Sequence, residues 1–190
     1  MKLEINVLSE SIDSLTSDVL TLGFFSNERP PRGYCGFADW RLNGVISRLM
    51  AKGKIGGAFL EKVLIQPGMR IPCEKVLLIG MGDACELTYE KLYSAGQNIS
   101  KTLKAIRSDD LVFDIPGIGR CSLDASKMAS AMMAGFFDYL AGNTIPSDNP
   151  LTTTYILGFE QHLAEIILGM HKFKVDVKNR ASINIREIKK

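Results

Sequence analysis

Metal-binding and redox motifs are the first things this sequence lacks. It holds two histidines, His162 and His171, and four cysteines, Cys35, Cys73, Cys85 and Cys121, with no C-x-x-C pair among them. Zinc ligands come in closely spaced pairs because two donors from one turn share the cost of ordering the site. The two histidines are too far apart in sequence to meet on one helix face at ligand distance. No metal is therefore expected, and the cysteines read as buried, reduced thiols. Long hydrophobic runs are missing too. Val76 to Ile79 and Tyr155 to Leu157 fall far short of the ~20 residues of a membrane-spanning helix, and polar residues interrupt the opening MKLEINVLSE, so no secretory signal is visible. A soluble, cytoplasmic protein without a membrane partner is expected. Charge of one sign is also missing: 23 Lys and Arg stand against 21 Asp and Glu, a net +2. That balance argues against nucleic acid as a partner.

What is present is the composition of an ordinary globular domain. The 190 residues are 46% hydrophobic, enough for one domain over 1–190 with its own core and no disulfide or metal staple. Strand-like and helix-like segments alternate, as in an α/β layer fold. Lys2 to Leu8 alternates with Leu3, Ile5 and Val7 on one face, the pattern of a half-buried strand near an edge. Asp18 to Phe24 is a second strand, followed by a Pro- and Gly-rich loop, Asn27 to Gly36. A helix is expected over Asp39 to Lys52, with Trp40, Val45, Ile46 and Leu49 on one face and Gly53 ending it. Leu60 to Gln66 and Lys75 to Met81 read as a hairpin or adjacent strands about PGMRIP. The unbroken VLLI run marks a strand covered on both faces and a candidate for the sheet centre.

Thr88 is placed to cap a helix whose Leu92, Ala95, Ile99, Leu103 and Ile106 form one stripe. Leu111 to Ile115 is another central strand, and a helix from about Asp124 to Leu140 buries Met128, Ala131, Met132 and Phe136. After the turn-rich GNTIPSDNP come a strand over Thr153 to Gly158 and a helix from about Glu160 to Met170, with Leu163, Ile166, Ile167 and Met170 inward. The alternation of Phe173, Val175 and Val177, then Ile183 and Ile185, allows two short strands about Asn179 and Arg180.

Two loops leave likely central strands and enter helices, where open α/β sheets bind ligands. The first holds Gly80, Gly82 and Asp83; the second is Pro116, Gly117, Ile118, Gly119 and Arg120. Glycines allow close backbone approach, and amides at a helix start hold anions, although such glycines are also common for steric reasons alone. A third cluster, ERPPRGYCGFADW, gathers Arg29, Arg32, Asp39 and Trp40. It reads either as an Arg and Asp recognition loop under an aromatic lid or, more plainly, as a core Trp40 and a helix-capping Asp39. Cys35 has no basic partner near it in sequence to make it a nucleophile. Met128, Met132 and Met133 read as adaptable core. No catalytic residue and no cofactor is assigned.

SDVLTLGFF, GVISRLMAKGKIGG, LEKVLIQPG, KVLLIGMGDACELTYEKLYSAGQNISKTL and SKMASAMMAGFFDYL together resemble the N-terminal domain of the leucyl aminopeptidase family of cytosolic metallopeptidases, over about Asp18 to Leu140. The resemblance implies a macro domain-like, three-layer α/β/α sandwich with a mixed, mostly parallel sheet. It also implies that peptide cleavage belongs to a separate C-terminal domain, which binds two divalent metals near a signature resembling NTDAEGR. No such stretch occurs in these 190 residues, so the expectation is a stand-alone, non-catalytic homologue.

The related macro domains supply a rival reading, because PGIGR resembles their Gly-rich phosphate loop. Gly23, Phe24 and Phe25 stand where those domains place an Asn-rich segment, and GYCGFADW lacks their triple glycine. Three functions follow for comparison. The first is a protein-association or regulatory module, as a homo-oligomer or with a full-length aminopeptidase partner. The second is a binder of a nucleotide or other phosphate at the Gly82 and Gly117 to Arg120 loops. The third, least favoured, is a metal-dependent aminopeptidase.

Overall fold

The protein, seen in a computed structural model that describes residues 1–108, 110–143 and 151–188, is organised around one seven-stranded sheet. In chain order the strands are β1 (Lys2–Leu8), β2 (Ser17–Phe24), β3 (Lys62–Ile65), β4 (Cys73–Gly80), β5 (Leu111–Asp114), β6 (Leu151–Leu157) and β7 (Ser182–Ile188). They lie side by side as β3-β4-β2-β5-β6-β1-β7. Only β3 runs antiparallel to its neighbour; every other pairing is parallel. Among the described residues five α-helices accompany them: α1 (Gly33–Arg41), α2 (Val45–Ala51), α3 (Tyr89–Ile106), α4 (Ala125–Asn143) and α5 (Leu163–Asp176).

The two faces of the sheet bury two separate cores. Leu77, Ile79, Leu111 and Phe113 pack with α3, α4 and α5, while Val76, Leu78, Leu20, Leu22 and Val112 pack with α1 and α2. Successive residues of β4 therefore serve opposite layers, which explains why VLLI shows no alternation. The result is the expected α/β/α sandwich on a mixed, mostly parallel sheet. Among the described residues no helix is long and apolar enough to cross a membrane.

Thr88 caps α3 as its position implied, its hydroxyl accepting from the Lys91 amide at 3.2 Å, and Leu92, Ala95, Ile99 and Leu103 are buried. Met128, Met132 and Met133 are core, and β3 with β4 forms the hairpin. Other segments depart from the sequence pattern. β1 lies inside the sheet, between β6 and β7, because the final strand pairs along its whole length and takes the edge. β4 is second from an edge; the middle strand is β5. The chain after Met170 forms one strand, not two: α5 runs on to Asp176, with Phe173 buried and Val175 exposed. Three apolar residues two apart fit a helix already under way as well as a strand. Most of GNTIPSDNP lies outside the described residues.

The helix expected over Asp39 to Lys52 is two helices. α1 begins six residues earlier than expected, at Gly33, and the chain breaks at Asn43 and Gly44, both at positive φ. Trp40 is 73% exposed, so it is not a core residue, and only Ile46 of the expected face is fully buried. Asp39 is buried and caps the following helix rather than its own: it accepts from the Ser47 amide at 3.0 Å and from the Ser47 hydroxyl. Of the cysteines, Cys35 and Cys73 are buried, but Cys121 is only partly covered and Cys85 is exposed.

α3 and α4 touch at backbone distance through two glycines. A Cβ on Gly96 would stand 2.0 Å from the Met132 carbonyl oxygen, and one on Gly135 would stand 1.9 Å from that of Tyr93. Neither helix can retreat without opening the core beneath it. Gly96→Ala and Gly135→Ala are each expected to cost about 2 kcal/mol or more. Gly142→Ala, with nothing within 4 Å, should be neutral or gain up to about 1 kcal/mol. Urea denaturation midpoints of the three variants check this.

Candidate functional site

The strand ends of β2, β5 and β6 are adjacent in the sheet, and the chain leaves β2 toward the α1 face but β5 toward the α4 face. Such a divergence opens a crevice at the carboxyl ends of the strands. A groove of about 750 Å³ lies there. Arg32, Phe37, Trp40, Gly119, Arg120, Phe159 and His162 are among the residues that line it. Beneath it, toward Asp114 and between Tyr34 and Ile166, the space narrows to about 20 Å³, room for about one water molecule.

Side chains close that floor. Tyr34 stacks on Phe159 with ring centroids 4.6 Å apart and planes 12° from parallel. Asp114 ends β5 as a buried carboxylate and accepts from the Gly23 amide at 3.0 Å. Gly23 is required there: a Cβ would meet Pro116 at 2.4 Å. Burial pushes the Asp114 carboxyl up to about 6, against the opposing pull of the Gly23 hydrogen bond and the Arg120 charge. Burial, and then the Asp114 charge, also raise the Tyr34 hydroxyl and the Cys35 thiol well above their ordinary ranges. Burial thus disfavours the thiolate that a nucleophilic Cys35 would need.

Arg120 is already engaged. Its Nη1 donates to both Glu28 carboxylate oxygens, at 2.7 and 2.5 Å, and its guanidinium sits 5.3 Å from the centre of the Phe25 ring. His162 pairs through Nδ1 with Glu165 at 3.1 Å and lies so close over Gly119 that a Cβ there would stand 2.5 Å from Nε2. The groove is thus aromatic, with basic groups at its rim and one of them neutralised by a carboxylate.

The residues singled out in the sequence divide between groove and scaffold. Gly119, Arg120, Arg32 and Trp40 line the groove. Gly117 is buried under Leu87 and Met128. Gly80, Gly82 and Asp83 do not line it; the chain around them seals their loop. Gly80 abuts the Ala58 carbonyl, and the Gly82 amide donates to Gly57 while its carbonyl accepts from the Ser26 amide, each at 2.9 Å. Asp83 accepts from the Cys85 amide at 2.7 Å and from the Asn27 side chain at 2.6 Å. Arg29 reaches away to the Met50 carbonyl at 3.2 Å, and Asp39 serves Ser47; the Arg and Asp pair beside Trp40 is instead Arg41 with Asp13, 2.7 Å apart, with the Arg41 guanidinium 5.8 Å from the centre of the Trp40 ring. Sequence reasoning passed over Phe37, Phe159 and His162. Phe159 and His162 follow the end of β6 as Gly119 and Arg120 follow that of β5, and this shared position was the signal available.

An open, mostly parallel sheet covered on both faces, with a groove at its strand ends, defines a macrodomain-like α/β/α protein. A mutant macrodomain of Oceanobacillus iheyensis superposes with a TM-score of 0.67 over 91% of this chain and 92% of its own, at 13% identity. The Trypanosoma brucei macrodomain in complex with ADP-ribose gives 0.67 over 88% and 68%, at 13% identity. Tomato leucine aminopeptidase gives 0.57 over 89% of this chain and 35% of its own, at 18% identity. At such identities these likenesses show the fold.

The sequence places the chain further: residues 21–140 match the model of the cytosol aminopeptidase family, N-terminal domain, and the chain belongs to that family. A "Probable cytosol aminopeptidase" of Rippkaea orientalis is 28% identical over 120 residues, 63% of this chain and 24% of that protein. One of Picosynechococcus is 26% identical over 172 residues, 88% and 35%. The chain spans about a quarter to a third of the length of these relatives.

Asp114 gives the site a pH signature. Its folded pKa lies above its unfolded one, so the native state binds this proton more tightly and stability falls as pH rises between them. The loss should approach about 3 kcal/mol between about pH 4 and pH 6.5. Asn at this position still accepts from Gly23 but does not ionise. Asp114→Asn should gain stability over the wild type across that interval, as urea titrations at several pH values would show.

Proposed function

We propose that this chain acts as a non-catalytic association or regulatory module of the cytosol aminopeptidase system, in the cytoplasm, and that the groove rim is its contact surface for a second copy or for a full-length aminopeptidase. One observation carries the reading. Phe37, Trp40 and Phe159 are 52%, 73% and 36% exposed along one groove, above a sheet-end pocket filled by the protein's own side chains. Exposed aromatic clusters with an Arg beside them are the usual anchors of protein interfaces. Among the described residues no three His, Cys, Asp or Glu side chains cluster as a metal site would need, and the family resemblance assigns the metals to a different domain.

Light scattering of the purified chain, alone and with the full-length aminopeptidase of the same genome, tests this. Association is expected, weakened about 30-fold or more by Phe37→Ser with Trp40→Ala, corresponding to hot-spot losses of about 2 kcal/mol or more. A strict monomer that binds no such peptidase overturns the proposal.

A second reading, a nucleotide or other phosphate ligand, is favoured by Gly119, Arg120 and Arg32 at one groove and by the likeness to a macrodomain seen with ADP-ribose. The Glu28 carboxylate on Arg120 and the filled floor weigh against it. Thermal shift with ADP-ribose and inorganic phosphate decides. A true ligand at about 100 times its Kd adds about 2.7 kcal/mol of stability, and no shift removes the reading.

A further inference from the structure

Two cysteines outside the groove, Cys85 exposed and Cys121 partly buried at the edge of the core, come together across a pair of loops. Cys85 is exposed in the 3-10 turn Ala84–Glu86 between β4 and α3. Cys121 lies within the loop between β5 and α4, where its amide and that of Arg120 both donate to the Gly117 carbonyl at 3.0 Å. The Cys121 Sγ lies 3.4 Å from the carbonyl oxygen of Ala84, the residue bonded to Cys85. A carbonyl oxygen stands about 2.8 Å from the next Cα, so Cys121 Sγ is within about 6 Å of the Cys85 Cα. The loops also meet elsewhere. The Asp124 amide donates to the Tyr89 hydroxyl at 3.1 Å, and Leu87 covers Gly117 so closely that a Cβ there would stand 2.8 Å from Leu87 Cδ2. They are already docked, so a covalent link asks only for side-chain rotation and a small shift of one turn.

We propose that Cys85 and Cys121 form a reversible intrachain disulfide, which makes this loop junction a thiol-exchange site for low-molecular-weight disulfides of the glutathione class. Cys85, the exposed thiol, gives its proton to solvent, and its thiolate attacks one sulfur of the reagent. A mixed disulfide forms and one reagent thiolate leaves, taking up a proton. Cys121, deprotonated in turn, attacks the Cys85 sulfur and displaces the second reagent thiolate. The two protein thiols lose two electrons and two protons; the reagent disulfide gains them and becomes two thiols. The order follows from access: Cys121 is partly covered, and burial holds its thiol up despite the Arg120 charge beside it. Arg120 precedes Cys121 directly, so the bond would fix the loop that carries Gly119 and Arg120 at the groove.

The test is to equilibrate the whole chain in graded mixtures of reduced and oxidised glutathione, alkylate free thiols, and map peptides by mass. The expected product has lost two hydrogens, contains a Cys85 to Cys121 cross-linked peptide, leaves Cys35 and Cys73 as thiols, and melts on the order of 5 °C higher than the reduced chain. Cys121→Ser should stop at a glutathione adduct on Cys85, and Cys85→Ser should give no cross-link. Three results on the wild type overturn the proposal without recourse to variants: an adduct on Cys85 that persists while Cys121 remains free, a cross-link to Cys35 or Cys73, or no reaction of Cys85 at any ratio.

Discussion

A parallel sheet cannot leave a face in water, and most of this structure follows from that constraint. Each parallel connection must cross the sheet, the crossing segments here are helical, and the helices have to cover both faces. β2, β4 and β5 are accordingly buried on both sides, and their apolar residues divide between two cores. The groove lies at the ends of β2, β5 and β6, while the end of the doubly buried β4 is sealed by the chain around Ala58.

The close glycine contacts belong to the same constraint. Gly96 and Gly135 bring α3 and α4 to backbone distance, Gly23 admits Pro116, and Gly80 admits the Ala58 carbonyl. Each leaves out a side chain so that two layers can meet without a void, and none requires a ligand to explain it. Gly80, which ends β4, is of this kind, whereas Gly82 after it is set by its positive φ of 76° and not by a close contact. The glycines after β5 divide: Gly117 packs inward, while Gly119 lies at the groove beneath His162.

The groove combines a narrow floor with an exposed rim. The Asp114 carboxylate, bonded to the Gly23 amide and overlaid by Tyr34 and Phe159, fills the depth from which a strand-end pocket would bind a small molecule. The Glu28 carboxylate holds Arg120, the cation nearest that depth. Exposed aromatic surface remains on α1, where the chain departs from its sequence pattern, and after β6, where it follows that pattern. The short, interrupted α1 and α2 position Phe37 and Trp40 outward; a single helix over Asp39 to Lys52 would have turned Trp40 into the core.

The sequence alone determined the layers: the α3 stripe and its Thr88 cap, the doubly buried β4, the methionine face of α4 and the resemblance to the aminopeptidase N-terminal domain are all local patterns of spacing and composition. Order in the sheet, edge positions and the partners of charged groups were decided only in three dimensions. β1 alternates as an edge strand does, yet β7, nearly the whole chain away, covers it. Asp39 had a cap role within reach, but which helix it caps depended on a break at Asn43 and Gly44. Arg120 reads as a free cation until Glu28, far back in the chain, closes on it. Periodicity reports whether a residue faces apolar surroundings; it carries nothing about which distant segment supplies them, because that choice is made by the fit of whole layers.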